Sequence, residues 1–196
     1  YGANNRKACA HTFFRSLLIA SIIGIIMSAL GETWAPIGFK IAGGSSEVQR
    51  IGQEYLLVRI LELPIVLILL AMNGFFLGTA NPIAPLWIAI IANLVNILGD
   101  YVLIYGHWGA PELGVIGAGW ASVIGNVTAF IIASIIAFQK YRPYWRETLS
   151  GFWDKKEVLL IIRTNSNLFG RTLCLQFVQF STLAMVSRLG EIPLAA

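Results

Sequence analysis

The chain is 196 residues long, 57% hydrophobic and only 12% charged, with a mean hydropathy of +0.72. A soluble domain carries about 25% charged residues, so this composition excludes a water-soluble globule and points to an integral membrane protein. The net charge of +4 is no nucleic-acid footprint, because the basic residues gather at the ends of apolar segments, as the positive-inside rule expects.

Taken in chain order, residues 1–11 are polar and include Arg6 and Lys7. Residues 12–30 form an apolar run long enough to cross a bilayer as a helix. Its one charge, Arg15, stands near the end and is expected to snorkel to the interface. Residues 31–53 are mixed; Trp34 and Phe39 suit an interface, and Gly43 to Ser46 read as a turn and N-cap. From Leu63 to Gly99 no residue is charged. One crossing needs ~20 residues, so this run must fold back on itself. The Gly-Thr-Ala-Asn-Pro stretch at 78–82 is the natural turn. The result is a hairpin of spans 54–77 and 82–106, with Pro64 able to bend the first arm. After a short loop at 107–112 comes a fourth span, 113–139. Residues 140–157 are a polar linker with interfacial aromatics. A fifth span, 158–189, is interrupted by Arg163 and Arg171.

The expected fold is therefore all-α: a polytopic transmembrane helix bundle of five spans, organised as 1–139, 140–157 and 158–196. The chain opens at Tyr1 without methionine or signal-peptide pattern and closes at Ala196 just after an apolar segment, which suggests a piece of a longer membrane protein. Cys9 and Cys174 have no metal-ligand company, and a disulfide between them is not expected.

If the spans alternate, Arg6, Lys7, Arg15, Lys140, Arg142, Arg146, Lys155 and Lys156 share one side, against Lys40 and Arg50 on the other. That bias places the Tyr1 end and the 140–157 linker in the cytoplasm. The 78–82 turn is then cytoplasmic too. Asp100 lies ~27 Å beyond Pro82 at 1.5 Å per residue, in the outer half of the membrane.

Asn96 and Asp100 are one helical turn apart and share a face with little else that is polar. An acid inside an apolar span is costly and marks a functional site by default. The functional reading is a cation or proton site in which Asp100 supplies charge and Asn96 and Asn93 supply amide oxygens. The plainer reading puts Asp100 at the outer interface, solvated. Arg59 and Glu62, at i and i+3, read most simply as a mutual pair, and Tyr55 as an interfacial tyrosine. Gly74 with Gly78, and Gly117, Ala121 and Gly125, form small-residue stripes that let helices pack closely. Ser122, Asn126 and Thr128 stand beside the second stripe and can line a polar interior. Asn165, Arg171, Gln176 and Gln179 give the last span polar character; a charge this deep faces a bundle interior or cavity. The glycosylation pattern at Asn126 lies mid-span and is discarded, as is the glycine cluster at Gly114, Gly117 and Gly119, which follows no strand. No Ser/His/Asp or Cys/His set is visible, and His11 and His107 fall on opposite sides.

These features resemble the multidrug and toxic compound extrusion (MATE) family and, within it, the DNA-damage-inducible F branch. The resemblance rests on residues 1–5, on Glu54-Tyr-Leu-Leu-Val-Arg59, on the run from Pro82 through Asn96 and Asp100, and on Leu113-Gly-Val-Ile-Gly-Ala-Gly-Trp-Ala-Ser-Val-Ile-Gly125. It covers essentially the whole chain. It implies a transporter of twelve helices in two lobes of six, of which this stretch supplies about helices three to seven: the rest of the N-lobe, the linker and the first C-lobe helix. It also implies an N-lobe cation or proton site at Asp100 and Asn96, joined by Tyr55 and Ser122, with sodium a candidate ion at Asp100 and Asn96. Ser122 stands where the family has a threonine and keeps the hydroxyl. An acidic partner on the family's first helix would lie upstream. Arg59, Arg171, Asn93 and Gln176 are the candidate polar lining of the central cavity. The implied activity is cation-coupled antiport that exports amphiphilic compounds across the bacterial cytoplasmic membrane, without a cofactor, a catalytic residue or a nucleic-acid partner. The expected partners are small amphiphiles, membrane lipid and the remaining helices of the same chain. Rival readings are a lipid-linked saccharide flippase, which would need a strongly basic cavity, a receptor or scaffold without a transport cycle, and a membrane enzyme.

Overall fold

The structure, a computed structural model, describes residues 5–31, 33, 35–36, 46–145 and 155–188. Its helices are α1 (Arg6–Ala29), α2 (Ser46–Leu61), α3 (Leu63–Gly78), α4 (Ile83–Tyr105), α5 (Gly114–Lys140), the short α6 (Arg142–Trp145) and α7 (Lys155–Arg188), with a 3-10 turn at His107–Gly109. No strand occurs among the described residues. The chain divides into two compact units, Tyr1–Phe152 and Trp153–Ala196. In the first, α1, α4 and α5 are each long and apolar enough to cross a membrane, and the bent pair α2–α3 meets the same measure when its two arms are taken together, as a broken span or a re-entrant loop. The second holds α7, a continuous helix over the stretch predicted as a fifth span, though not among those that meet the same measure of apolar length. The predicted interfacial Trp34 and Phe39, the turn at 43–45 and most of the 140–157 linker lie outside the described residues.

Helix α1 starts six residues earlier than the hydropathy suggests. The Asn5 side chain accepts the Ala8 backbone N–H at 3.0 Å and caps the helix, so the polar flank is drawn into it. This corrects the expectation for Arg15. With a helix that begins at Arg6, Arg15 is more than two turns from the end, and its side chain is 2% exposed rather than snorkelling outward.

The arm predicted as one helix is broken. Gln49–Leu61 and Leu63–Gly78 meet at 49°, with Glu62 at the corner. Pro64 explains the break: it has no N–H for the Ile60 carbonyl one turn back. Helix α1 packs antiparallel against this corner. A Cβ on Gly24 would sit 2.5 Å from Pro64 Cα, and Gly31 is pressed against the Ile60 side chain. Further along, Phe13 of α1 packs against Phe75 of α3, ring centroids 4.6 Å apart and planes tilted by 52°.

The hairpin of α4 and α5 is the most tightly packed part of the bundle. One α5 face presents Gly117, Ala121, Gly125, Ala129, Ala133 and Ala137, every fourth residue, all buried. Side chains this small let the backbones touch, which is how helices associate where lipid removes the hydrophobic drive. A Cβ on Gly117 would lie 2.5 Å from the Leu103 carbonyl oxygen, and one on Gly125 3.0 Å from that of Ala92. Gly106, at φ +68°, ends α4, and the Leu113 N–H returns to the Leu103 carbonyl at 2.9 Å. The predicted turn at 78–82 is also present. There the Thr79 and Tyr141 hydroxyls share a 2.7 Å hydrogen bond that ties the turn to the end of α5.

The apolar core gathers toward that turn: Phe13, Leu69, Met72, Phe76, Ala84, Ile88, Ala129, Ala133 and Ala137. The residues of interest, Tyr55, Asn96, Asp100, Ser122 and Asn126 on α2, α4 and α5 and Glu62 at the α2–α3 corner, lie beyond this core.

Candidate functional site

Asn96 and Asp100 occupy successive turns of α4, a helix otherwise almost free of polar side chains. The α4–α5 contact brings Asn96 to Ser122, whose Oγ accepts the Asn96 Nδ2 proton at 3.3 Å. With the amide nitrogen so used, Asn96 Oδ1 keeps its acceptor capacity. One turn further, Asp100 Oδ1 is buried and has no hydrogen-bond partner among the described residues. An unsatisfied buried polar atom costs about 1–3 kcal/mol, and more when charged. The fold therefore holds an oxygen that a proton or cation would satisfy.

Helix α2 packs on another face of α5. Gly99 meets Ala121 and Leu103 meets Gly117, so the antiparallel register brings Asp100 level with Trp120, next to Gly119. A Cβ on Gly119 would lie 3.4 Å from Cδ2 of Tyr55. The missing side chain at Gly119 thus lets the Tyr55 ring rest on α5 at the height of Asp100. The available groups are carboxylate, amide and hydroxyl oxygens, a hard set that suits a proton or sodium rather than a soft transition metal. No cluster of three or more His, Cys, Asp or Glu occurs among the described residues.

The other predicted residues fall elsewhere. Asn93 is exposed, and its amide donates to the Ala89 carbonyl of its own helix at 2.9 Å. Thr128 does likewise with Ile124. Arg59 forms the expected ion pair with Glu62. Gln176 and Gln179 are exposed on α7, and the Arg171 side chain lies outside the described residues.

Sequence reasoning missed one feature. Glu62 is 2% exposed, and its Oε2 accepts a hydrogen bond from Asn126 Nδ2 of α5 at 2.9 Å. An i, i+3 pair such as Arg59–Glu62 is what an exposed helix surface displays, so the burial was hidden. The available signal was position: an acid two residues before the proline that breaks an uncharged run, facing a helix with Ser122 and Asn126 one turn apart.

Comparison with known proteins bears on what this arrangement belongs to. The family model described as MatE matches residues 1–102. The chain is 21% identical over 199 residues to the probable multidrug resistance protein YoeA of Bacillus subtilis, covering 100% of this chain and 43% of that protein. It is 28% identical over 193 residues to DNA damage-inducible protein F of Escherichia coli, covering 97% of this chain and 41% of that one. Among solved structures, the inward-facing conformation of a multidrug resistance MATE family transporter of the MOP superfamily superposes with a TM-score of 0.72 at 22% identity. That match covers 81% of this chain and 35% of the other, and it shows a shared fold. The chain thus spans less than half the length of these relatives.

Proposed function

The chain belongs to the MatE family, and from that premise we propose that it supplies the cation-binding lobe of a secondary antiporter. The full-length protein exports amphiphilic compounds across the bacterial cytoplasmic membrane by alternating access, driven by an inward proton or sodium gradient. Asp100 carries the coupling cation, Asn96 contributes its amide oxygen, Ser122 holds the Asn96 amide in place, and Tyr55 closes the site from α2. The Tyr1 end and the 140–157 linker face the cytoplasm, as the charge bias suggests.

One observation carries this reading: the buried Asp100 Oδ1, without a hydrogen-bond partner among the described residues, one turn from an asparagine whose nitrogen is already engaged. A stable structural carboxylate would be paired or hydrogen-bonded. An acceptor kept open within a membrane bundle suits a group that takes up and gives back a cation. The cation then stabilises whichever lobe arrangement closes around it, and the transport cycle follows from that difference in affinity. The flippase alternative rested on Arg59 and Arg171 as basic lining, and the pairing of Arg59 with Glu62 weakens it.

The test is Asp100→Asn in the full-length parent. Drug resistance of cells expressing it is expected to fall to the level of cells lacking the transporter, at unchanged abundance in the membrane. Resistance equal to wild type would remove Asp100 from the coupling role.

A further inference from the structure

We infer that Glu62 and Asn126 are positioning residues of the cation site: a hydrogen-bonded pin that sets the register of α2 along α5 and thereby holds Tyr55 at the height of Asp100. The inference rests on the cation-site reading above.

Helix α2 runs parallel to α5 and touches it at two heights. Tyr55 and Val58 lie against Gly119, and Glu62 bonds to Asn126. Tyr55 and Glu62 are seven residues apart, as are Gly119 and Asn126, so both helices advance about 10 Å between the two attachments. Between them lies Ser122, which holds Asn96. The pin and the Asn96 anchor therefore share one edge of α5, where Ser122 and Asn126 stand one turn apart.

A pin is needed because α2 is not held by helix continuity. The 49° break leaves the arm that carries Tyr55 joined to α3 only through Glu62, beside a proline that removes a backbone hydrogen bond. From the α1 side the corner is confined by Gly24 and Gly31, whose contacts with Pro64 and Ile60 are apolar. Apolar contacts carry no directional bond between named atoms; a 2.9 Å amide-to-carboxylate bond does. A buried ion pair is seldom more stabilising than an apolar replacement, so stability alone does not account for an acid at 2% exposure in this span. Fixing one register does account for it.

Because the pin acts through an accepted hydrogen bond, glutamine can serve in place of Glu62. Its amide oxygen can accept from Asn126, and Arg59, a third exposed, can turn outward. Alanine cannot serve. The experiment uses the full-length protein in liposomes, with ethidium as the transported probe, and titrates sodium at fixed pH and protons at fixed sodium. For the coupling ion, Glu62→Ala and Asn126→Ala are expected to raise the half-saturating concentration about tenfold, the usual loss when a supporting partner of a ligand is removed. Maximal rate should change little. Glu62→Gln should stay within about twofold of wild type, again well inside that loss. In a Tyr55→Ala background, Glu62→Ala should add nothing.

Asn126→Ala leaves the Arg59–Glu62 pair intact, so it reports even if Glu62→Ala fails to accumulate. The pin is overturned if Asn126→Ala leaves the half-saturating concentration unchanged, or if Glu62→Gln is as impaired as Glu62→Ala, which would make Glu62 a charge-bearing site in its own right. Full cation dependence in Asp100→Asn would instead sink the site on which the pin acts. Loss in Asp100→Asn with wild-type behaviour in Asn126→Ala sinks the pin alone.

Discussion

A buried carboxylate oxygen without a donor is a costly feature, and among the described residues Asp100 Oδ1 has none, with Asn96 one turn away. Asn96 has one nitrogen and one oxygen to offer, and the contact with Ser122 Oγ assigns the nitrogen. Replacing Asn96 by alanine removes an oxygen from the proposed site while leaving the Asp100 carboxyl group. The half-saturating cation concentration is expected to rise by roughly 10- to 100-fold, with a smaller effect on the affinity for an exported dye. Equal dye and cation effects would place Asn96 in the drug path instead. Asn93 shows why residue type alone is a weak guide: it stands three positions before Asn96, yet it is exposed and bonds its own backbone.

Among the helices, what could be read in advance depended on whether the determining contact was local. The charge-free run and its Gly-Thr-Ala-Asn-Pro turn made the hairpin legible, and the small-residue stripe at Gly117, Ala121 and Gly125 correctly marked the face that meets α4. Helix starts and charges at helix ends were less legible. The Asn5 cap lengthened α1 and buried Arg15, and the role of Glu62 depended on Asn126, far away in sequence. The stripe itself predicts an outcome. Gly117→Val would drive side-chain carbon into the Leu103 carbonyl, the acceptor that also closes the α4–α5 loop through Leu113. Such overpacking costs about 1–3 kcal/mol, and the detergent-solubilised protein should melt at a lower temperature than wild type. An unchanged melting temperature would mean that the two backbones are not held in contact there.

For the molecule as a whole, an apolar core near the 79–82 turn and a polar cluster beyond it give the first unit two unlike ends. That asymmetry suits the proposed lobe, sealed on one side and opened to cations on the other, and the charge bias leads us to propose that the sealed side is the cytoplasmic one. Sidedness can be checked at the exposed residues Glu112 and Lys140, which flank α5. With Cys9 and Cys174 replaced by serine in the full-length protein, Glu112→Cys should be labelled by an impermeant thiol reagent from outside and Lys140→Cys only after the membrane is opened. Labelling of both from one side would overturn the orientation. The most direct measurement of coupling is efflux from liposomes holding the purified full-length protein, with an imposed proton or sodium gradient as the sole energy source. Wild type should expel ethidium for as long as one of these gradients lasts, and Asp100→Asn, folded to the same melting temperature, should not respond to it; gradient-driven efflux at the wild-type rate in Asp100→Asn would contradict the assignment of Asp100 as the cation carrier.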